Sequence, residues 1–229
     1  MKVGYVVLYE DGELVISKKH TVLQKKIEKD YGEFEYINIP WKNDKKKIKQ
    51  VRILNQIKSN YMRSWFEDCY NLTTLIDFQN LDVSDCEDFK FTFYCCKSLT
   101  DVSSLKDWDV SNGRDFLFMF ENCTSLQDIS ALANWNVVNG EDFESMFDYC
   151  VLLTNVFVLE NWNMSNGEDF NWIFSGCINL KEIYLPDTLK CLNYLMFEGC
   201  DFNLKIHWKN KIYTYEDVFK YEIILDEGV

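Results

Sequence analysis

Three residue types in this chain have spacings that bear on chemistry: cysteines, aspartates and histidines. Cys69, Cys96, Cys123, Cys150 and Cys177 recur at a step of 27, and Cys200 follows at 23. A file of thiols can hold a metal or form disulfides, but there is no C-x-x-C pair, and Cys95 and Cys96 are adjacent. A ladder of buried free thiols is therefore expected, in which cysteine packs as a small hydrophobe and the compartment is reducing. Asp88, Asp115, Asp142 and Asp169 keep the same step. Carboxylates in file suggest Ca²⁺ held between turns, or, as the preferred reading, helix N-termini stabilised on a solvated face. The only histidines, His20 and His207, lie near opposite ends, so no Ser–His or Cys–His nucleophile is evident. Gly113, Gly140 and Gly167 punctuate a repeat and form no phosphate loop, and no carboxylate pair stands out for glycan hydrolysis. No enzyme activity, metal or cofactor is expected.

The repeat must position these side chains. Stepping by 27 from Phe66 reaches Phe93, Phe120, Phe147 and Phe174, and the step from Leu72 reaches Leu99, Leu126, Leu153 and Leu180. Such a period marks stacked units that bury their apolar faces only against neighbours. Ser111 to Asp115, Val138 to Asp142 and Ser165 to Asp169 look like helix starts, with Phe116, Met119 and Phe120 on one helical face. The L-x-x-I/V segment after each Cys reads as a short strand, and Trp108, Trp135 and Trp162 as a ladder. The fold class expected is an α/β repeat solenoid of short parallel strands and short helices with β-rich caps. Residues 1–64 form the N-terminal cap, 65–200 the repeats (four units of 27 and one of 23), and 201–229 the C-terminal cap.

In the N-terminal cap, Val3 to Tyr9 and Leu14 to Ile16 read as a hairpin turning at Asp11-Gly12, residues 18–50 as irregular, and Ile37 to Trp41 as extended. In the C-terminal cap, Leu204 to Trp208 and Lys211 to Tyr215 suggest a second hairpin, and Thr214-x-x-Asp217 a capping box for a helix at 215–221. Residues 1–64 carry 14 Lys/Arg against 8 Asp/Glu, and residues 65–200 carry 6 against 23. Repeats this acidic repel phosphate backbones, so nucleic-acid binding is not expected. The basic stretch Lys42, Lys45, Lys46, Lys47, Lys49 and Arg52 reads as a solvated loop. No run reaches membrane-span length and no export signal is read, giving a cytoplasmic expectation for a monomeric chain.

The string L-x-x-W-D/N-V-S-N, followed by M-F-x-x-C-x-x-L, resembles the repeat of the BspA-like leucine-rich-repeat surface proteins. The last unit, C-x-x-L-x-x-I-x-L-P, is similar to that family's shorter repeat. The resemblance covers residues 65–200 and implies a curved leucine-rich-repeat solenoid. It also implies display at a cell surface or secretion, with adhesion or host-protein binding as the function.

On such a scaffold Leu180, Ile183 and Leu185 point inward, and the residues between them face out on a concave strand side. These outward positions are Asp101 and Ser103, Asp128 and Ser130, Asn155 and Phe157, and Lys181, Glu182 and Tyr184. They vary while the core Leu positions barely do, which is how repeat proteins make binding surfaces. A partner protein docking there, anchored by Phe157 and Tyr184, is the function expected. The alternatives are an acidic mimic occupying the basic groove of a nucleic-acid-binding protein, and a Ca²⁺-dependent enzyme acting on glycans.

Overall fold

The computed structural model describes residues 2–35, 37–154, 156–221 and 223–225. β1 (Lys2–Tyr9) and β2 (Glu13–Ser17) form the expected hairpin, with Gly12 in the turn at φ +89°. Residues 18–50 are less irregular than expected, because β3 (Ile27–Glu35) adds antiparallel to the free edge of β1. Its charged, mostly exposed side chains hide it from a hydrophobicity pattern and suit an edge strand. β4 (Gln50–Ile53) is followed by β5 (Ile57–Lys58) and β6 (Thr74–Ile76). β4 lies parallel between β2 and β6, so the sheet order is β3-β1-β2-β4-β6. Glu13 is fully buried there, its charge met by Arg52 at 2.7 Å and Lys25 at 2.6 Å. Ile37 to Trp41 is not one extended piece: it turns at Ile37 and again at Pro40 and Trp41, with an antiparallel bridge between Asn38 and Glu35, and the buried Trp41 indole donates to the Trp65 carbonyl at 2.8 Å.

After β7 (Leu81–Asp82), which pairs parallel with β5, like side chains of successive repeats lie in files. Phe93, Phe120, Phe147 and Phe174 stack at 5.4, 5.5 and 5.6 Å between ring centroids. Phe89, Phe116, Phe143 and Phe170 stack at 5.3 Å throughout. Trp108, Trp135 and Trp162 stack at 6.3 Å, and the indoles of Trp135 and Trp162 donate to the carbonyls of Leu105 and Leu132 at 3.0 Å. The thiols of Cys123, Cys150 and Cys177 donate at 3.3 Å to the carbonyls of Phe93, Phe120 and Phe147. Burial pushes the Cys69 and Cys200 thiols up to about 12, which keeps them protonated, and the Cys200 thiol donates to the Phe174 carbonyl at 3.1 Å. The Asn of the S-N-G motif makes the same kind of bond: Asn139 reaches the Ser111 carbonyl at 2.7 Å. Gly140 follows because an added Cβ would lie 2.3 Å from Phe143 Cζ, where the ring covers the chain.

The α/β solenoid expected from the sequence is not formed. Among the described residues the one α-helix lies outside the repeats, and the sheets are separate and in part mixed, gathered toward the two ends of the chain. The expected helix starts carry parallel bridges instead, Asp88 to Asp115, Asp115 to Asp142 and Asp142 to Asp169. Beyond them, alternate N–H groups bond to the next repeat: Phe116 to the Asp142 carbonyl, Phe118 to Glu144, Phe120 to Met146 and Asn122 to Asp148. The residues between close tight turns, Met119 onto Phe116, Glu121 onto Phe118 and Cys123 onto Phe120. A helix needs about 8–10 Å between axes, and the rings here repeat at 5.3–5.6 Å. The turns require a left-handed backbone at Phe118 and Asn122, both at φ 58°. Each such residue costs about 1–2 kcal/mol, whereas each fully buried ring returns about 1.5–3 kcal/mol and each stacked pair about 0.5–1.5 more. The ring files therefore outweigh the strain.

Among the described residues the expected strand of each repeat is also absent from the middle units. It forms in β6 and in β8 (Glu182–Tyr184), while 3-10 turns occupy Ser103–Leu105, Ser130–Asn134 and Phe157–Asn161. At the C-terminal end come β9 (Cys191–Asn193), β10 (Lys205–Trp208), β11 (Lys211–Thr214), α1 (Tyr215–Tyr221) and β12 (Ile223–Leu225). β10 pairs antiparallel with β11 and parallel with β8, and β12 pairs antiparallel with β9. The capping box forms: Asp217 Oδ2 accepts from the Thr214 N–H at 2.8 Å, and Thr214 Oγ1 accepts from the Asp217 N–H at 3.1 Å.

Candidate functional site

The outward residues singled out in the sequence do not share one strand face, because among the described ones only Glu182 and Tyr184 lie on a strand. Asp101 and Ser103 are exposed and bound to each other: Asp101 Oδ1 accepts from the Ser103 N–H at 2.7 Å, and Oδ2 from its hydroxyl at 2.9 Å. Asp128 and Ser130 repeat this at 2.8 Å for both bonds. These pairs set the entry to a 3-10 turn, a local use of Asp-x-Ser. Asn155 lies outside the described residues. Lys181 is exposed and paired with Asp201 at 2.7 Å, which holds that carboxyl down at about 2.

Phe157 and Tyr184 do meet, with centroids 4.8 Å apart. β8 alternates, so Ile183 is buried while Glu182 and Tyr184 face out, and β10 does likewise with Ile206 in and His207 out. The parallel register sets Tyr184 opposite His207, and their rings stack at 4.0 Å and 8°. Glu182 Oε1 lies 2.6 Å from His207 Nε2, fixing the imidazole. Phe157, Tyr184 and His207 thus form a continuous row of rings, with Phe157 49% exposed at its end. Beside the row a recess of 380 Å³ is lined by Tyr184, His207, Glu160, Asp187 and residues of the β10–β11 turn. His207 was missed in the sequence because nothing local links it to Tyr184, 23 positions away; only the pairing of β8 with β10 does.

A second recess, of 760 Å³, opens on the turn arc and is lined by Phe118, Glu144, Asp148, Tyr149, Trp172 and Glu198, among others. It too escaped sequence reading, although a signal existed. Phe91, Phe118, Ser145 and Trp172 share one repeat position, and Cys95, Asn122, Tyr149 and Gly176 another, in an otherwise constant frame. Burial raises the Asp148 and Glu144 carboxyls above the ordinary range, with neighbouring carboxylates adding to it. The aspartate file is half-buried at Asp142, whose carboxyl is raised by burial and then by Asp115 and Asp169. Among the described residues no group of three or more His, Cys, Asp or Glu side chains is placed to hold a metal ion.

Turns stacked ring on ring define a repeat protein. The chain belongs to the family described as "Mycoplasma protein of unknown function, DUF285", whose model matches residues 60–185. That assignment is coarser than the BspA-like resemblance and does not single that group out. No curated protein matches the chain. Among solved structures, a leucine-rich repeat protein from Eubacterium ventriosum matches at 16% identity, over 92% of this chain and 73% of that one. The TM-score of that match is 0.35.

Proposed function

We propose that this is a non-catalytic binding protein that docks a partner protein on the row Phe157, Tyr184 and His207. The observation that carries this is the pre-stacked row itself, half-buried at Tyr184 and His207 and exposed at Phe157. Tyr184 and His207 are held by strand register and by Glu182, and Phe157 packs on Tyr184, so docking a partner orders little further. Aromatic anchors on a rigid frame are the usual energetic centre of an interface. The turn that carries Asp128 and Ser130 packs beside the turn of Phe157 and supplies a polar rim, with the Asp101–Ser103 pair one repeat further on. Cell-surface adhesion would be one use of such a surface, and the family resemblance is what supports it.

The test is co-precipitation from an extract of the source organism with wild-type protein and with Phe157→Ala/Tyr184→Ala as baits. A protein retained by the wild type, lost by the variant, and rebound in purified form with at least tenfold weaker affinity for the variant is the expected result. Equal retention by both baits, at equal melting temperature, would overturn the proposal. Retention that collapses with salt and ignores the double variant would favour the acidic-mimic alternative.

A further inference from the structure

We infer that the recess between Phe118, Tyr149 and Trp172 receives an arginine side chain from a basic peptide segment of a partner. This site is separate from the Phe157 row and stands or falls without it. Three carboxylates, Glu144, Asp148 and Glu198, line the recess, and no Lys, Arg or His does. Asp148 is half-buried and its carboxylate is bonded by Ser175 and the Tyr149 backbone, but its Oδ1 is left without a hydrogen-bond partner, a costly state for a carboxylate oxygen. Acceptors are thus in excess, and the nearby indole donor is committed, since Trp172 Nε1 donates to Glu198 Oε2 at 2.8 Å. The complementary ligand must bring positive charge and several N–H groups but no acceptor. Guanidinium does so, with five donors in a planar fork that also stacks on aromatic faces.

The walls suit a flat cation. Tyr149 is 53% exposed, and its ring covers Gly176, where an added Cβ would sit 3.0 Å from Tyr149 Cδ1. Gly176 is left-handed at φ +65°, so the glycine both permits the turn and lets the ring lie flat. Trp172, held by Glu198, forms a second aromatic wall. Glu198 therefore has two tasks: it orients the indole, and it offers charge to the ligand. A bare metal ion is the poorer match, since no described cluster of ligating side chains converges on one point.

The probe is an acetylated, amidated peptide Gly-Arg-Gly-Gly-Arg-Gly, titrated into ¹⁵N-labelled full-length protein, with the Lys-for-Arg peptide as the comparison. Saturable shifts confined to Tyr149, the Trp172 indole and Gly176 are expected, with the Lys peptide at least fivefold weaker. Asp148→Asn/Glu198→Gln should weaken the Arg peptide at least tenfold, and Phe157→Ala/Tyr184→Ala should leave it unchanged. Shifts that fail to saturate or spread along the acidic repeats would overturn the inference, as would equal binding of the Lys peptide. If the carboxylate variant does not fold, the wild-type shift map and the Arg/Lys ratio decide the matter by themselves.

Discussion

Glu121→Gln is the substitution whose effect can be worked most fully. Glu121 sits half-buried on the turn arc with Asp148 and Glu144 near it, and Asn122 Nδ2 donates to its Oε1 at 2.9 Å. Burial, then repulsion from Asp148, lifts its carboxyl from 4.5 to about 7, against the pull of Asn122. The raised value means that the folded state disfavours the ionised form. The group costs nothing below pH 4.5, where both states are protonated, and its full cost appears as pH rises past about 7. Taken whole, a rise from 4.5 to about 7 corresponds to about 3.4 kcal/mol. Partial solvent access screens this to about 1–1.5 kcal/mol. Glutamine keeps the shape and cannot ionise, so the variant should match the wild type at pH 4.5–5 and be more stable by that amount at pH 8. Urea unfolding of both proteins at the two pH values reads the difference directly, and the melting temperature at pH 8 should rise by about 2–5 °C. Equal stability of the pair at pH 8, or a gain of the same size at pH 5, would refute the desolvated carboxylate.

Two further substitutions test the repeat frame. Gly140→Ala puts a Cβ 2.3 Å from Phe143 Cζ in a file with no slack, so a loss of about 1–3 kcal/mol is expected in thermal or urea unfolding; a neutral result would show that the ring can tilt away. Trp135→Phe removes the indole N–H from the Leu105 carbonyl and should cost about 1–3 kcal/mol, seen as a lower urea midpoint with an unchanged slope.

Several parts of the fold were legible because they depend on neighbours in the chain. The Asp11-Gly12 turn, the Thr214/Asp217 box and α1 follow from local turn and capping chemistry. β3 was not legible, since Ile27–Glu35 is a charged edge strand whose pairing with β1 is long-range. Part of the candidate site was readable too: Phe157 and Tyr184 are apolar residues at outward register positions, and they do meet. His207, the third ring of the row, depends on a strand pairing that no local pattern encodes. The recess at Tyr149 and Trp172 rests on residues at positive φ or beside them, a backbone state that Trp and Tyr disfavour and that a sequence does not advertise.

From the amino acids alone came the 27-residue period, the identity of the side chains that lie in file, and the acidic character of the repeats. Periodicity is a property of the chain, so these needed no coordinates. The conformation of the turns was decided only in three dimensions. Ser111 to Phe120 has the local marks of a helix, but the N–H groups of Arg114 and Asp115 are claimed by the preceding repeat and those of Phe116, Phe118 and Phe120 by the next, and the 5.3 Å stacking of Phe116 on Phe143 leaves no room for one. Helix propensity is worth tenths of a kcal/mol per residue, and a buried ring about 1.5–3 kcal/mol, so the packing between turns prevails.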